Sequence, residues 1–426
     1  MSASAPGSSY GRGARVLSVG IATTGLVTFA FFAIASHVLD ADAYGGISLL
    51  WSIVFIVTSV IYRPIEQLLS RSISERRALG HAEHSLRGPL LLQGCFALVF
   101  LVAALLLRGW LTDDVFDGAS TLYWVLVVGV LAYAASYFAR GWLAGNQRFG
   151  LYGGLVLLES LSRLLFPLGV AVGIASGQSA VAFGILAAPF VSLAVVPWAL
   201  GRRGGAKSAG AVDAASPSAS LRAGGAFALA VFAVQLSEQA ILNVPVLLAS
   251  DAATAGFIFN VLLIARAPLQ LFQAIQTSLL PHLTAAAATE SREEFARAVR
   301  VTLLAIAAFA TAVALVLLAI GPWAMEILFG EDADYGRGGL ALVALGMGFH
   351  LAAGTLNQAA LATGRARAAA TAWLIAAASL IAFLAIGLIE DEILRVEAGY
   401  AGAAALLCAL LTITTRRSPT RSGQTA

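Results

Sequence analysis

Twelve apolar runs, each long enough to cross a bilayer, limit what this chain can fold into. A helix rises 1.5 Å per residue, so about twenty apolar residues cross the roughly 30 Å of hydrocarbon. Backbone groups find no water in lipid, and such runs must therefore be helices. The predicted spans cover residues 16–39, 44–70, 88–107, 120–139, 150–176, 179–200, 223–249, 252–281, 299–320, 338–362, 369–388 and 396–414. The pattern predicts an all-α integral membrane protein with twelve transmembrane helices.

The composition argues against a soluble protein, and the lack of catalytic motifs argues against an enzyme. Hydrophobic residues make up 59% of the chain and charged residues 12%, whereas soluble domains carry about 25% charged residues. The sequence contains no GxxxxGK phosphate loop and no HExxH helix. Cys95 and Cys408 are too few to build a metal site without further ligands at suitable spacing. We predict no catalytic residues, no metal, no cofactor and no nucleic-acid partner.

The distribution of charge sets the orientation. Lys and Arg accumulate in short cytoplasmic segments. With the N-terminus inside, the inner segments hold most of the 26 basic residues, including Arg140 and Arg148 after the fourth span. The outer loops collect acids, such as the run Glu390-Asp391-Glu392. Both termini are therefore predicted to be cytoplasmic.

A linker in the middle of the chain indicates that the protein is built from two similar halves. Residues 201–222 are rich in Gly, Ala and Ser without hydrophobic periodicity, as in a flexible linker. Six spans lie on either side, which gives an N-terminal lobe over 1–200, a C-terminal lobe over 223–415 and a basic tail over 416–426. The second span opens with AYGGISLL and the eighth with TAGFIFNV, in corresponding positions. We predict two six-helix lobes related by a six-plus-six repeat.

Ionisable residues inside the spans are the candidate functional groups, because a charge in hydrocarbon is costly and is usually kept for function. They are Arg63, Arg163, Arg266, Glu66, Glu159 and Glu238. The alternative is a set of structural ion pairs, and Glu159 and Arg163 have the i, i+4 spacing for one. Arg63 and Arg266 lack an acid at that spacing. Each stands near a proline, which bends a helix.

Polar rows extend this pattern in the seventh and eighth spans. Residues at helical spacing share one face, and a polar face turned to lipid would be unstable. The rows are Gln235, Glu238, Gln239 and Asn243, then Arg266, Gln270 and Gln273. We expect both rows to line a cavity. His350, in the tenth span, is expected to be a hydrogen-bonded structural histidine.

The six-plus-six plan, the end of the second span (RPIEQLLSRSISERRALG) and the end of the fourth (FARGWLAGNQRF) resemble one group of membrane proteins. It is the polysaccharide-transport group of the multidrug/oligosaccharidyl-lipid/polysaccharide exporters, which includes O-antigen and teichoic-acid flippases. The resemblance implies two lobes around a central cavity that opens alternately to each membrane face. It implies a bacterial plasma-membrane flippase that moves a polyprenyl-pyrophosphate-linked oligosaccharide outward, beside a polysaccharide polymerase and glycosyltransferases.

The resemblance also implies roles for individual residues. Basic residues of the cavity would hold the pyrophosphate, and by position this role falls on Arg63 and Arg266. A guanidinium keeps its charge and offers a planar fork to phosphate oxygens. Arg163, Gln270 and Gln273 are further candidates for substrate binding. Glu66, Glu159 and Glu238 would offset the arginines or take up coupling protons, with a proton or sodium gradient as the driving force.

Two other functions stay open at this point. Drug antiporters of the same superfamily usually depend on an acid in the first or seventh helix. The first span here has none, but Glu238 lies in the seventh. A membrane-embedded glycosyl- or acyltransferase would need acids on a large outer loop, and the outer loops are short.

Overall fold

The computed structural model describes residues 23–78, 87–195, 217–266, 269, 292–330 and 335–416. In this part of the chain the regular structure is helical. The helices are α1 (Thr23–Val38), α2 (Ala41–Ile61), α3 (Arg63–Ala78), α4 (Arg87–Leu106), α5 (Ser120–Gly145), α6 (Phe149–Ala171), α7 (Gly177–Ser192), α8 (Pro217–Leu247), α9 (Ala252–Arg266), α10 (Arg292–Phe329), α11 (Arg337–Ala362), α12 (Ala366–Ile386) and α13 (Glu392–Arg416). A short turn of helix, Arg108–Val115, joins α4 to α5.

The helices match the predicted membrane spans. Every predicted span overlaps one of them, with α2 and α3 sharing the second span. Among the described residues, nine segments are long and apolar enough to cross a membrane, and α1, α7 and α9 are shorter apolar helices. The membrane-helix fold is thus confirmed. The count of twelve spans and the cytoplasmic position of both termini stay predictions.

Several boundaries differ from the predicted ones. The fourth span was predicted to end at residue 139, but α5 continues to Gly145. The ninth was predicted over 299–320, whereas α10 is one helix of 38 residues. Apolar runs locate the part of a helix that lies in hydrocarbon. A charged residue or a proline interrupts an apolar run, as Arg140 does in α5 and Pro322 does in α10, although the helix continues past it.

Two helices carry apolar side chains on their outer surfaces, as lipid contact requires. Leu91 and Leu106 of α4 are 75% and 81% exposed, and Leu304 and Leu315 of α10 are both at least 60% exposed. Large apolar surfaces of this kind are unfavourable in water and favourable in hydrocarbon. Both helices therefore lie on the lipid-facing side of their parts of the fold.

The chain divides into two compact units. The first consists of Met1–Leu221, Asn243–Leu263 and Trp323–Asp334. The second consists of Arg222–Leu242, Ile264–Pro322 and Tyr335–Ala426. The end of α8 and most of α9 thus cluster with the first six spans. The lobe boundaries predicted from the central linker stay a prediction.

Glycines allow close helix–helix contacts inside the first unit. A methyl group added to Gly45 of α2 would lie 1.7 Å from the carbonyl oxygen of Ala252 at the start of α9. One added to Gly256 would lie 2.9 Å from the ring of Tyr44. Small residues let membrane helices approach until their backbones touch. These two glycines bring together the AYGGISLL and TAGFIFNV segments.

The second unit is held by a similar contact between α11 and α13. A methyl group at Gly346 of α11 would lie 2.9 Å from the Cα atom of Ala401 and 3.0 Å from the ring of Tyr400. A methyl group at Gly399 of α13 would likewise lie 2.9 Å from Cδ1 of Leu380 in α12. Close backbone approach therefore positions the buried side chains of both units.

Candidate functional site

The first pair of charged candidates, Arg63 and Glu66, follows a break between α2 and α3 within the second predicted span. α2 ends at Ile61, Tyr62 is fully buried in the break, and α3 begins at Arg63. Pro64 has no N–H to continue the ladder, and its ring displaces the carbonyl one turn earlier. The bend expected at this proline stays a prediction. Arg63 and Glu66 lie in the first turn after it, and both are half-buried.

Close packing of α3 on α5 brings Glu66 beside a second charged pair. A methyl group at Gly141 would lie 2.8 Å from the carbonyl oxygen of Glu66, and one at Gly145 would lie 2.7 Å from Cβ of Ile73. These glycines form a GxxxG pair, whose spacing places both on one helix face. The FARGWLAGNQRF segment therefore acts as the docking surface for α3.

Arg140 of α5 and Glu159 of α6 form a salt bridge in the interior of the first unit. The side chain of Arg140 is 11% exposed and that of Glu159 is 2% exposed. The Arg140 guanidinium also lies 4.5 Å from the centre of the Tyr137 ring. Removing one partner of such a buried pair typically costs about 3–5 kcal/mol, because the other charge is left uncompensated.

This salt bridge corrects one interpretation of the sequence. The i, i+4 spacing favoured a pair between Glu159 and Arg163, but Glu159 bonds Arg140 instead. The fourth span was also predicted to end at residue 139, which left Arg140 in the following segment, whereas Arg140 lies within α5 and its side chain is only 11% exposed. The reason is that α5 ends only at the turn of Asn146 and Gln147, where Gln147 adopts a positive φ of 56°. Arg140 is therefore more than one helical turn inside the helix.

Tyr152 of α6 holds the Glu66 carboxylate. Its hydroxyl donates a hydrogen bond to Oε1 of Glu66 at 2.8 Å. Glu66 also interacts electrostatically with Arg140 and, more weakly, with Arg63. A hydrogen bond to a charged group contributes about 1.5–3 kcal/mol. Glu66 thus interacts with two arginines and accepts a hydrogen bond from one neutral donor, the Tyr152 hydroxyl.

Arg163 of α6 has an aromatic neighbour. Its guanidinium carbon lies 4.2 Å from the centre of the Trp51 ring of α2, and the residue is 4% exposed. A desolvated cation–π contact contributes about 2 kcal/mol. Arg163 Nε is buried without a hydrogen-bond partner among the described residues. Arg63, Glu66, Arg140, Glu159 and Arg163 together form what we call the five-charge cluster.

The second unit contains the other two predicted residues that the structure describes. Arg266 of α9 is buried and donates to the carbonyl oxygen of Leu242 in α8. Pro245 lies three residues further on in α8, and a proline opens the preceding helical turn. Glu238 of α8 is half-buried, with Gln235 Nε2 at 3.4 Å. Both Arg266 and Glu238 interact electrostatically with the Tyr400 hydroxyl of α13.

The structure therefore separates the predicted site residues into two groups. Arg63, Glu66, Glu159 and Arg163 lie in the first unit, with Arg140 added. Arg266 and Glu238 lie in the second unit. Gln270 and Gln273 lie outside the described residues. Joint binding of an anion by Arg63 and Arg266 stays a prediction.

His350 of α11 is hydrogen-bonded, as predicted. Its Nδ1 lies 3.4 Å from the Tyr400 hydroxyl, and its ring contacts the ring of Trp373 edge-on, with the centroids 5.5 Å apart. The indole N–H of Trp373 donates to Asn357 Oδ1 at 3.2 Å. This chain of contacts ties α11 to α12 and α13, which is a structural role.

Only some of the residues that were missed carry a recognisable sequence signal. Arg140 could have been found from its position before Gly145 and Asn146, which are typical of a helix C-terminus. Tyr152 and Trp51 could not, because aromatic residues are common in every span. In the described ranges there is no group of three or more His, Cys, Asp or Glu side chains able to hold a metal ion.

Comparisons with known proteins support a transporter fold. No family model matches the chain. The chain is 24% identical over 354 residues to the uncharacterized protein Rv1510 of Mycobacterium tuberculosis, covering 79% of this chain and 76% of that protein. It is also 24% identical over 322 residues to the uncharacterized protein Rv3630 of the same organism, with 73% and 71% covered. Both relatives are named only as uncharacterized proteins, so they do not indicate a function.

Solved structures define the class of fold more closely. An inward-facing multidrug resistance transporter of the MATE family, in the MOP superfamily, superposes with a TM-score of 0.71 at 14% identity, covering 94% of this chain and 97% of that one. A Vibrio cholerae MATE transporter, VcmN, gives 0.68 at 17% identity, with 96% of each chain covered. The eukaryotic MATE transporter AtDTX14 gives 0.67 at 13% identity, with 95% of each covered.

The chain thus has the fold of a multi-pass membrane transporter. More particularly, it has the fold of MATE transporters of the MOP superfamily. At 13–17% identity these structures show the fold alone. Membership of the superfamily, and of the polysaccharide-transport group within it, stays a prediction.

Proposed function

We propose that this protein is a secondary transporter of the bacterial plasma membrane that exports amphipathic compounds in exchange for protons or sodium ions. The observation that carries the proposal is the superposition of 94% of the chain on a multidrug resistance transporter at a TM-score of 0.71. Buried carboxylates inside membrane helices are the groups expected to bind a coupling ion.

Glu66 and Glu238 are the coupling groups in this proposal. Glu159 is held by Arg140 in a salt bridge and cannot release that partner without a large cost. Glu66 is half-buried and accepts a hydrogen bond from the neutral hydroxyl of Tyr152. Glu238 is half-buried beside the amide of Gln235. A neutral donor can keep its hydrogen bond to a carboxyl group whether or not that group carries a proton.

Efflux from cells tests this proposal. The protein is produced in a bacterial strain that lacks its own drug exporters, and ethidium accumulation is followed with and without a proton or sodium gradient. We expect lower accumulation with the protein than without it, and loss of that difference in Glu66→Gln and Glu238→Gln. Glu326→Gln is the matched control, because Glu326 is an exposed carboxylate on α10. Gradient-independent accumulation would contradict the proposal.

A second candidate is the flippase of a lipid-linked glycan. The observation that favours it is the placement of Arg63, Arg163 and Arg266 inside membrane helices, since guanidinium groups suit a pyrophosphate. A polymerase and glycosyltransferases would then be partners. In a strain that lacks the protein, lipid-linked glycan should accumulate in the inner leaflet. Unchanged leaflet distribution in that strain, together with increased ethidium accumulation, would support the exporter of amphipathic compounds instead.

A further inference from the structure

Glu397 of α13 is a buried carboxyl group to which the proposed transport mechanism gives no role. The residue is 4% exposed, although it lies only five residues after the start of α13 at Glu392. At 1.5 Å per residue, that distance is about 7–8 Å along the helix. The run Glu390-Asp391-Glu392 at this end of α13 is predicted to face the outside. Glu397 thus lies near the predicted outer surface but is covered by protein.

Gly339 of α11 provides the surface on which this carboxyl group packs. A methyl group added to Gly339 would lie 1.8 Å from Oε2 of Glu397 and 2.3 Å from Oε1. Both carboxyl oxygens therefore occupy the space that a side chain at position 339 would take. Gly346 makes a similar contact with Tyr400 and Ala401, further along the same two helices. The Glu397 carboxyl group is thus enclosed between two helices that run in the same direction.

The Glu397 side chain has neither a salt bridge nor a hydrogen bond within the described residues. Asp391, which has the same sign of charge, acts on it electrostatically. Arg395 donates instead to two backbone carbonyl oxygens before the helix, and Arg337, at the start of α11, is exposed. Residues 331–334, which precede α11 in the chain, contain three acids and no basic residue. The other titratable groups close in sequence to this contact are Tyr335, Glu392 and Tyr400.

Tyr400 connects this carboxyl group to the surroundings of Glu238. Glu397 and Tyr400 are three residues apart on α13, so they lie on one helix face with their Cβ atoms about 5–6 Å apart. The Tyr400 hydroxyl interacts electrostatically with Glu238 of α8 and Arg266 of α9. A change of charge at Glu397 therefore takes place one helical turn from a side chain that senses Glu238.

The surroundings of Glu397 suit the neutral acid, because burial of a carboxylate without a partner costs far more than burial of a protonated carboxyl group. We propose that Glu397 is a proton-binding site at the predicted outer end of the second unit. The protonated group packs on Gly339. When it releases the proton to the outer solution, the carboxylate leaves this contact for water, which is less than two helical turns away. The inference goes beyond the proposed function, which assigns ion coupling to Glu66 and Glu238.

Infrared spectroscopy of the purified full-length protein in liposomes tests the site. The carbonyl stretch of a neutral carboxyl group absorbs apart from the bands of a carboxylate. Spectra of the parent and of Glu397→Gln are compared at about pH 6, where an ordinary glutamate, with a pKa of about 4.3, is ionised. We expect the variant to lack one neutral-carboxyl band that the parent shows. Loss of a carboxylate band instead would overturn the proposal.

A pH titration of the same samples decides whether the proton exchanges with solvent. In the parent, the band that depends on Glu397 should disappear as the pH is raised from about 6 to about 9, with a matching gain of carboxylate absorption. A band that persists until the protein unfolds would show a permanently neutral acid with a structural role. That result would overturn proton binding at this residue.

Two matched pairs of variants control the test. Glu390→Gln removes an exposed carboxylate from the same end of α13 and should lower carboxylate absorption alone. Gly339→Ala places a methyl group on the carboxyl oxygens of Glu397, so the band should disappear at a lower pH, by about one unit or more. Gly338→Ala, with no atom within 4 Å of the added methyl group, should titrate like the parent. If Gly339→Ala does not fold, the comparison of Glu397→Gln with Glu390→Gln carries the test.

Failure of this inference is separate from failure of the proposed function. A protein that exports ethidium in a gradient-dependent way, but has no neutral-carboxyl band from Glu397, loses only the proton site. A protein that shows the band and its titration, but does not export ethidium, keeps the proton site and loses the proposed function.

Discussion

The hydroxyl of Tyr44 on α2 donates a hydrogen bond to Oδ1 of Asn260 on α9. The same two helices also touch where Gly45, next to Tyr44, meets the backbone of Ala252, about two turns before Asn260. Both helices begin with the same kind of cap. Asp40 accepts from the amide of Ala43, and Asp251 accepts from the amide of Thr254, each at 2.8 Å. Corresponding segments of the two sequence halves are thus capped alike and packed together.

Gly45→Ala tests how tightly this contact is packed. The added methyl group would lie 1.7 Å from the Ala252 carbonyl oxygen, so the helices must separate. We expect a loss of about 1–3 kcal/mol or more, as in overpacked cores. Tyr44→Phe, which removes only the hydroxyl, should cost about 1 kcal/mol. Thermal unfolding in detergent measures both.

Gly94→Ala is the control for that change. Gly94 lies in α4 with no atom within 4 Å of an added methyl group. Alanine is the better helix former by about 0.8–1.0 kcal/mol, so this variant should be as stable as the parent or more so. If Gly45→Ala were equally harmless, the contact between α2 and α9 would be looser than described.

A charge exchange tests the Arg140–Glu159 salt bridge. Arg140→Glu and Glu159→Arg, made singly, each bury two like charges and should destabilise by about 3–5 kcal/mol. Combined, they restore opposite charges and should recover a large part of the loss. The coupling energy comes from a double-mutant cycle on unfolding midpoints. Additive losses would mean that the two side chains do not interact.

The membrane helices could be predicted almost completely from sequence, because the physical signal is strong. Unpaired backbone groups are too costly in hydrocarbon, so a long apolar run must form a helix. The break at Pro64 was predictable for a related reason, since proline lacks the donor that a helix needs. The end of α5 was missed because Arg140 interrupts the apolar run, although the helix continues through Trp142 and Leu143 to Gly145.

The site could be predicted only in part. Charged residues such as Arg163 and Glu159 stand out in apolar runs, and the structure describes them as buried. Their partners were less visible, because spacing along one helix does not show which neighbouring helix comes closer. Gly141 lets α3 approach α5, and this approach sets the partners of Glu66 and Arg140. Tertiary packing decides such pairs, and one sequence does not encode it locally.

Asp251 gives a pH-dependent contribution to stability. Hydrogen bonds from Thr254 hold the pKa of this exposed carboxyl below its ordinary value. The folded state therefore binds the proton less readily than the unfolded state. The contribution is present above the unfolded pKa of about 4 and is lost as the pH falls through the lower folded value.

Asp251→Ala should remove this contribution. We expect a loss of at most about 1 kcal/mol at neutral pH, since the cap is solvent-exposed and screened. The difference from the parent should shrink below about pH 4. Unfolding midpoints at pH 7 and pH 3.5 measure it. A difference that grows on acidification would have the wrong sign for a cap of lowered pKa.

Gly141→Ala tests whether helix packing positions Glu66. The added methyl group would lie 2.8 Å from the Glu66 carbonyl oxygen, so α3 must move away from α5. That movement lengthens the Tyr152–Glu66 hydrogen bond, and the combined loss should be about 1–3 kcal/mol. Gly129→Ala, on the same helix with open space around the new methyl group, should be neutral or stabilising. In the ethidium assay Gly141→Ala should resemble Glu66→Gln, while Gly129→Ala should resemble the parent. Full activity in Gly141→Ala would show that Glu66 does not depend on this contact for its position.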